Sequence, residues 1–507
     1  MKKILISAFA LALFGSTISC DTEFETDIND VAVTSGEADF SRYVSLGNSL
    51  TSGYRDNALY SDGQNESYPS MIAAQMQLAG GGSFKQPMMP NNVGGFVGLP
   101  GFPGKLTLQV VNGSLAPVAS DPAAALDNIS SGGPYQNLGV PGAKSFHLMA
   151  AGYGNPAGLS AGLANPYYVR FASSATSSVL GDALAQSPTF FSLWIGNNDV
   201  LSYATSGGTG TYQKGNTNPA TYGSNDITDP GVYANVINGY VTALTANGAK
   251  GVIANIPNVT SIPFFTRVPY NAIPLSAAKA QALNTGLYQP LKAALTYLGA
   301  GERINPVKEG NNPVLIVDRE LTNLSAQLTA VLTASGVPAA QAAYIGTAFG
   351  QARQATSDEL ILLTASGVLG IDAQTGQPAT ETSTFIYGAS YPIGDHLSLT
   401  KNELANISEA VTAYNTTIKN IADAKGLAFV DANAKMVELS SASGIQWDGV
   451  KYTATFVTGG AFSLDGVHLT GRGYAIVANE FIKAINEKYK STLPLVNPNK
   501  YSGVKFP

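Results

Sequence analysis

Leu46-Gly47-Asn48-Ser49-Leu50-Thr51-Ser52-Gly53 directly follows Tyr43-Val44-Ser45. The apolar run through Leu46 reads as a buried strand. A chain that ends such a strand on a small polar residue near glycines is either turning or presenting that residue at the end of a sheet. If Ser49 is presented, the first strand of an α/β sheet begins here, and other strand ends must supply its chemical partners.

Working outward, the same alternation recurs. Ser67-Tyr68-Pro69 predicts a helix start, and "SMIAAQMQLA" (70–79) supplies its apolar face. "PTFFSLWIGNND" (188–199) predicts a buried strand with a polar end. "VYANVINGYVTALTANGAKGVIANIPNV" (232–259) reads as helix, a stop at Gly248, then strand. "AKAQALNTGLYQPLKAALTYL" (278–298) predicts a helix and "NPVLIVD" (312–318) a strand. Residues 320–385 are Ala/Thr-rich and are expected to be mostly helical. Residues 400–426 predict a long helix and "LAFVDA" (427–432) a strand. After "DGVHLTGRG" (465–473), Tyr474, Val477, Ala478, Phe481, Ile482 and Ile485 share one helical face. Strands alternating with helices imply a mostly parallel sheet covered on both sides. Residues 79–135, 200–230 and 320–395 break the pattern and read as insertions that build a substrate cleft or its cover.

Composition narrows the class. Of 507 residues, 45% are hydrophobic and only 12% charged, about half the usual share of roughly 25%. The net charge of −6 argues against nucleic acid, which needs a basic face. One cysteine and three histidines give no dense zinc-type cluster. Residues 1–19 carry two lysines, an apolar run from Ile4 to Phe14, then small residues, the pattern of a signal peptide. Thr17-Ile18-Ser19-Cys20 resembles a bacterial lipobox, so Cys20 is the expected acylated residue and 20–40 a flexible tether. The expected location is the cell envelope, as an outer-membrane lipoprotein facing the periplasm or the surface. Residues 41–490 form the expected domain and 491–507 a tail.

Sites in parallel sheets lie at the carboxyl ends of the strands. There the chain places Ser49, "NLGVPGAKS" (137–145) with Gly142, "GNND" (196–199), and "DGVH" (465–468) ahead of the last helix. Each suits acyl transfer. A serine nucleophile needs a base, which His468 can be. The base needs orientation, which Asp465 can give from three residues away. An oxyanion needs donors, and the Ser49 and Gly142 backbone N–H groups with the Asn198 amide would serve.

These four segments, in this order, resemble the SGNH hydrolases, also called the GDSL esterase/lipase family. Gly47-Asn48-Ser49-Leu50 matches its G-D-S-L block, Gly142 its second-block glycine, Gly196 to Asp199 its G-x-N-D, and Asp465 to His468 its D-x-x-H. "NGAKGVIANIPNVTSIP" (247–263) resembles a strand segment of the larger GDSL lipases. The resemblance covers residues 41–485 and departs at Asn48, where the family carries aspartate. It implies a flavodoxin-like three-layer α/β/α sandwich and serine-dependent hydrolysis of an ester, of a lipid or an acylated glycan, without cofactor or metal. An acyltransferase on the same residues, or a non-catalytic glycan- or lipid-binding surface lipoprotein, are the alternatives. Two other segments imitate the motif. Gly158-Leu159-Ser160-Ala161-Gly162 matches G-x-S-x-G but lacks the flanking strand and helix that motif needs. Asp395-His396 precedes a long helix, with the carboxylate adjacent to the histidine. His147, after Gly142, reads as a helix or packing residue.

Overall fold

The computed structural model describes residues 32–111 and 113–507. Cys20 and the leader lie outside the described residues. Five strands form one parallel sheet: β1 (Tyr43–Gly47), β2 (Asn137–Gly139), β3 (Phe190–Trp194), β4 (Lys250–Ala254) and β5 (Ala428–Val430). Their order is β2-β1-β3-β4-β5, and every neighbouring pair is parallel. Chain order therefore reverses across the sheet between β1 and β3. Gly47 sits opposite both Gly139 and Trp194, so the first three strands end level with one another.

Alternation along the strands explains the layers. Phe190, Ser192 and Trp194 face one way. Trp194 meets Tyr68 of α2 (Tyr68–Leu78) and Phe481 of α6 (Gly471–Tyr489), with ring centroids 5.6 and 6.0 Å away. Phe191 and Leu193 point the other way and are equally buried, both at 0% exposure. A strand buried on both faces reads as a continuous apolar run, which is how "FFSLW" reads. Between them, α4 (Pro230–Thr245) and α5 (Lys401–Lys425) stack Tyr233 on Tyr414 at 4.1 Å, and α5 packs on β4 and β5. Each helix start is built as its sequence suggests. Ser67 Oγ accepts from Ser70 N–H, Asp229 from Val232 N–H, and Thr400 pairs with Glu403 in a reciprocal cap.

Residues from Val268 to Leu397 contribute two further apolar clusters outside the main core. The strand expected at 312–318 exists as Leu315–Val317, but it pairs antiparallel with Ala352–Gln354 and stays out of the central sheet. The helix expected at 278–298 runs through a π-turn at Asn284–Tyr288, just before Pro290, whose missing N–H the wider turn accommodates. The helical expectation for 320–385 holds only over Ser325–Ala334 and Ala339–Phe349. Beyond Gly350 come the short strands Ala352–Gln354 and Leu360–Ile361 and the single 3-10 turn Leu363–Gly367, and no further α-helix forms before 385, where "DAQTGQPATETST" (372–384) offers turn residues and no apolar period. Within 79–135 a hairpin joins Leu106–Val111 to Ser114–Ala119. The Asn112-Gly113 dipeptide between them is the sequence signal for it.

Candidate active site

β1 ends at Gly47, and α1 (Ser49–Ser52) starts at once. Asn48 caps that turn, its Oδ1 accepting from Leu50 N–H at 3.1 Å. The acceptor oxygen of Asn48 thus does the local work, and its Nδ2 has no hydrogen-bond partner. Ser49, 6% exposed, is the first residue of the turn. Its Oγ lies 2.9 Å from His468 Nε2. His468 Nδ1 lies 2.9 Å from Asp465 Oδ2. With Nδ1–H donated to the carboxylate, Nε2 is left as the acceptor for the serine proton.

The local fold of 463–468 explains why a spacing of three works. Gly466 takes φ +70°, a left-handed conformation in which other residues are strained. The segment folds back, and Asp465 Oδ1 accepts from Val467 N–H and His468 N–H, both at 2.8 Å. The carboxylate is therefore bound to the backbone as well as the ring of the residue it orients. Burial alone would raise the Asp465 carboxyl, but His468 and these hydrogen bonds outweigh it and hold the group well below the usual carboxylate range. Tyr54 packs its ring 4.7 Å from the His468 ring.

The second and third strand ends are tied to each other. Asn198 opens α3 (Asn198–Thr205) and donates from Nδ2 to Ala143 O at 3.0 Å. Asp199, fully buried, accepts from Ser145 N–H at 2.7 Å and Ser145 Oγ–H at 2.6 Å. These bonds fix the segment 142–145 against the end of β3. Gly142, exposed and at φ +80°, stands at the tip of that segment. Among the described residues, neither Ser49 N–H nor Gly142 N–H has a hydrogen-bond partner. Asn198 uses one of its two amide hydrogens. Three donors thus remain at strand ends that finish level with one another, beside the point where strand order reverses. This arrangement can carry proton transfer from a hydroxyl and accept negative charge on an oxygen.

A turn that the sequence reading missed completes the site. Arg55 and Ala58 pair across Asp56 and Asn57, which have φ of 52° and 60°. Asn57 N–H donates to Asp465 Oδ2 at 2.8 Å. Asp56 Oδ1 accepts from Leu464 N–H at 3.0 Å, and Asp56 N–H donates to Ser463 Oγ, which reaches Asp465 Oδ1 at 3.1 Å. Only the adjacent Asp-Asn pair, tolerant of left-handed backbone, hints at this in the sequence.

The other candidates lie elsewhere. Ser160 is exposed in the short helix Pro156–Ala161, with no strand leading into it. Asp395 pairs with Arg319 at 3.1 Å, and His396 is exposed beside the Gly207 backbone. His147 Nδ1 accepts from Lys144 N–H at 3.0 Å and stacks on Tyr153, as a packing residue would. No family model, curated protein or solved structure matches the chain.

Proposed function

We propose that the protein is a serine ester hydrolase of the SGNH type, exported and held at the cell envelope through an acylated Cys20. The observation that carries this reading is the Ser49–His468–Asp465 relay, with both links at 2.9 Å and with Ser49 and His468 419 positions apart in sequence. Chance juxtaposition of these three groups at the carboxyl edge of a parallel sheet, beside unpartnered N–H donors, has no structural purpose that simpler residues would not serve. The flavodoxin-like form of the fold is supported by the strand order 2-1-3-4-5 and by the position of Ser49 and Asn198 where that order reverses.

In this reading Ser49 Oγ attacks the ester carbonyl while its proton passes to His468 Nε2. The new C–O bond pushes the carbonyl electrons onto oxygen, where Ser49 N–H, Gly142 N–H and Asn198 Nδ2–H meet them. The carbonyl reforms, the C–O bond to the alcohol breaks, and the alcohol leaves with the proton from His468. Water then gives its proton to His468 and attacks the acyl carbonyl, and the intermediate collapses to the acid as the bond to Ser49 Oγ breaks and Ser49 takes the proton back from His468. Asp465, held as an anion, keeps Nδ1 protonated and favours the imidazolium that forms at each stage.

A fluorophosphonate probe is expected to label wild type at Ser49 and to leave Ser49→Ala unlabelled. Hydrolysis of p-nitrophenyl butyrate is expected to fall by about 10⁴-fold or more in that variant. Labelling at Ser160, or full activity in Ser49→Ala, would overturn the reading.

A further inference from the structure

Two cavities are lined by a site residue or by chain neighbours of site residues, and their chemistry differs. The first, about 90 Å³, is bounded by Leu50 and Val467, the immediate neighbours of Ser49 and His468, and by Trp194, Ile262, Met436 and Val477. Apart from Lys435 and Glu480, which pair with each other at 3.4 Å, its lining is apolar. The second, about 940 Å³, begins at Gly142 and presents the half-buried rings of Phe146 and Tyr222 with Ser206 and Asn225, over a floor where His147 stacks on buried Tyr153.

The larger groove offers no free charge. Lys144 is its one Lys or Arg and is 4% exposed, with Nζ donating to Asp226 O at 2.6 Å. No Asp or Glu lines it. Burial, then the nearby Lys144, lowers His147 to about 4, so the imidazole is neutral at pH 7. Such a groove has nothing to neutralise a phosphate. Its ring faces suit the C–H face of a sugar, and its hydroxyl and amide groups suit sugar hydroxyls.

The small pocket sets a length. An apolar cavity of roughly 150 Å³ takes up benzene, with six carbons, so 90 Å³ takes on the order of four. The acyl group stays on Ser49 until water attacks, which suits a small pocket lined by Leu50 and Val467, the chain neighbours of Ser49 and His468. The alcohol must depart, which suits the wide groove.

Resting on the ester-hydrolase reading, we propose that the substrate is a short-chain acyl ester of a neutral saccharide. Its acyl arm occupies the apolar pocket at Leu50 and Val467, and its sugar arm the groove beyond Gly142.

Activity on p-nitrophenyl esters from acetate to laurate tests the acyl arm. Each methylene buried is worth about fourfold in kcat/KM, so the value is expected to climb through butyrate and to fall beyond hexanoate. Val477→Trp, at the pocket wall, is expected to abolish the climb, so that butyrate is turned over no faster than acetate. Met436→Ala is expected to move the optimum to longer chains. An O-acetylated xylo-oligosaccharide tests the other arm. Tyr222→Ala is expected to lower its kcat/KM about tenfold more than that of p-nitrophenyl acetate. Wild type is expected not to hydrolyse neutral phosphatidylcholine vesicles. A profile climbing to laurate, hydrolysis of the vesicles, or equal effects of Tyr222→Ala on both acetates overturns the substrate assignment alone. Absence of fluorophosphonate labelling at Ser49 overturns the hydrolase reading beneath it.

Discussion

Asp465 and His468 stand just before one long helix, Gly471–Tyr489, and Asp395 and His396 just before another, Lys401–Lys425. The residue types are the same, and the outcomes differ. A spacing of three with left-handed Gly466 between lets one carboxylate bind the ring and the backbone of its histidine. A spacing of one sends the side chains apart. Asp395 turns inward to Arg319, while His396 is left exposed. What separates a relay from a helix start is the turn that holds the pair, and that turn is itself held from outside by Asp56 and Asn57.

The comparison breaks most sharply on the histidines. His468→Ala is expected to lose about 10⁴-fold or more in kcat, as Ser49→Ala does, because members of such a relay act as a unit. Asp465→Asn is expected to lose about 10⁴-fold, since the amide favours the wrong imidazole tautomer. His396→Ala is expected to stay within a few-fold of wild type. Equal losses at His396 and His468, with both variants folded by circular dichroism, would erase the distinction.

Next in size is Asn198→Ala. Its amide is asked to hold charge present only in the transition state, so kcat is expected to fall by about 10²–10³-fold with KM little changed. A melting temperature near wild type separates this from the loss of its bond to Ala143 as a structural tie.

A smaller effect sharpens the role of the turn. Asp56→Ala frees Leu464 N–H and loosens the segment that carries Asp465. A drop in kcat of about tenfold at unchanged KM is expected, with Asp56→Asn recovering most of it because an acceptor oxygen remains. If Asp56→Ala changes only the melting temperature, the turn supports the fold and not the relay.

The smallest effect belongs to the other pair. Burial, then Asp395 and Glu320, raises Glu403 to about 7 against the hydrogen bonds from Thr400. Its folded value thus lies above the unfolded value of about 4.3. Between the two, the folded chain binds more protons, so this contribution to stability is full below about 4.3 and is lost as pH rises through 7. Glu403→Gln is expected to flatten that slope, seen as about 1–2 °C in Tm between pH 4 and 8.

Much of this was legible because strand ends announce themselves. "YVSLG", "FFSLW" and "KGVIA" carry continuous apolar runs, and each is followed within a few residues by a polar or glycine-rich stop. Ser49 follows the first of these runs and Asn198 the second, Gly142 follows the shorter strand Asn137–Gly139, and Asp465 and His468 precede the last long helix. Leu315–Val317 is the contrary case. Its run is as apolar as a central strand, and nothing local says which neighbour it will pair with. Asp56 and Asn57 were missed for a different reason. Asn57 acts through its backbone N–H, and Asp56 through its own N–H and a carboxylate that meets a backbone N–H far along the chain, and partners of that kind are not marked by any local spacing.

The relay joins the first strand of the sheet to the segment before the last long helix, with 419 positions between Ser49 and His468. During synthesis the nucleophile emerges first and the base nearly last. A chain stalled or clipped anywhere before Asp465 holds a serine with no partner to activate it. The hydrolytic chemistry proposed for this site would therefore stay latent through translation, and switch on only when the complete sheet has closed around its own far end.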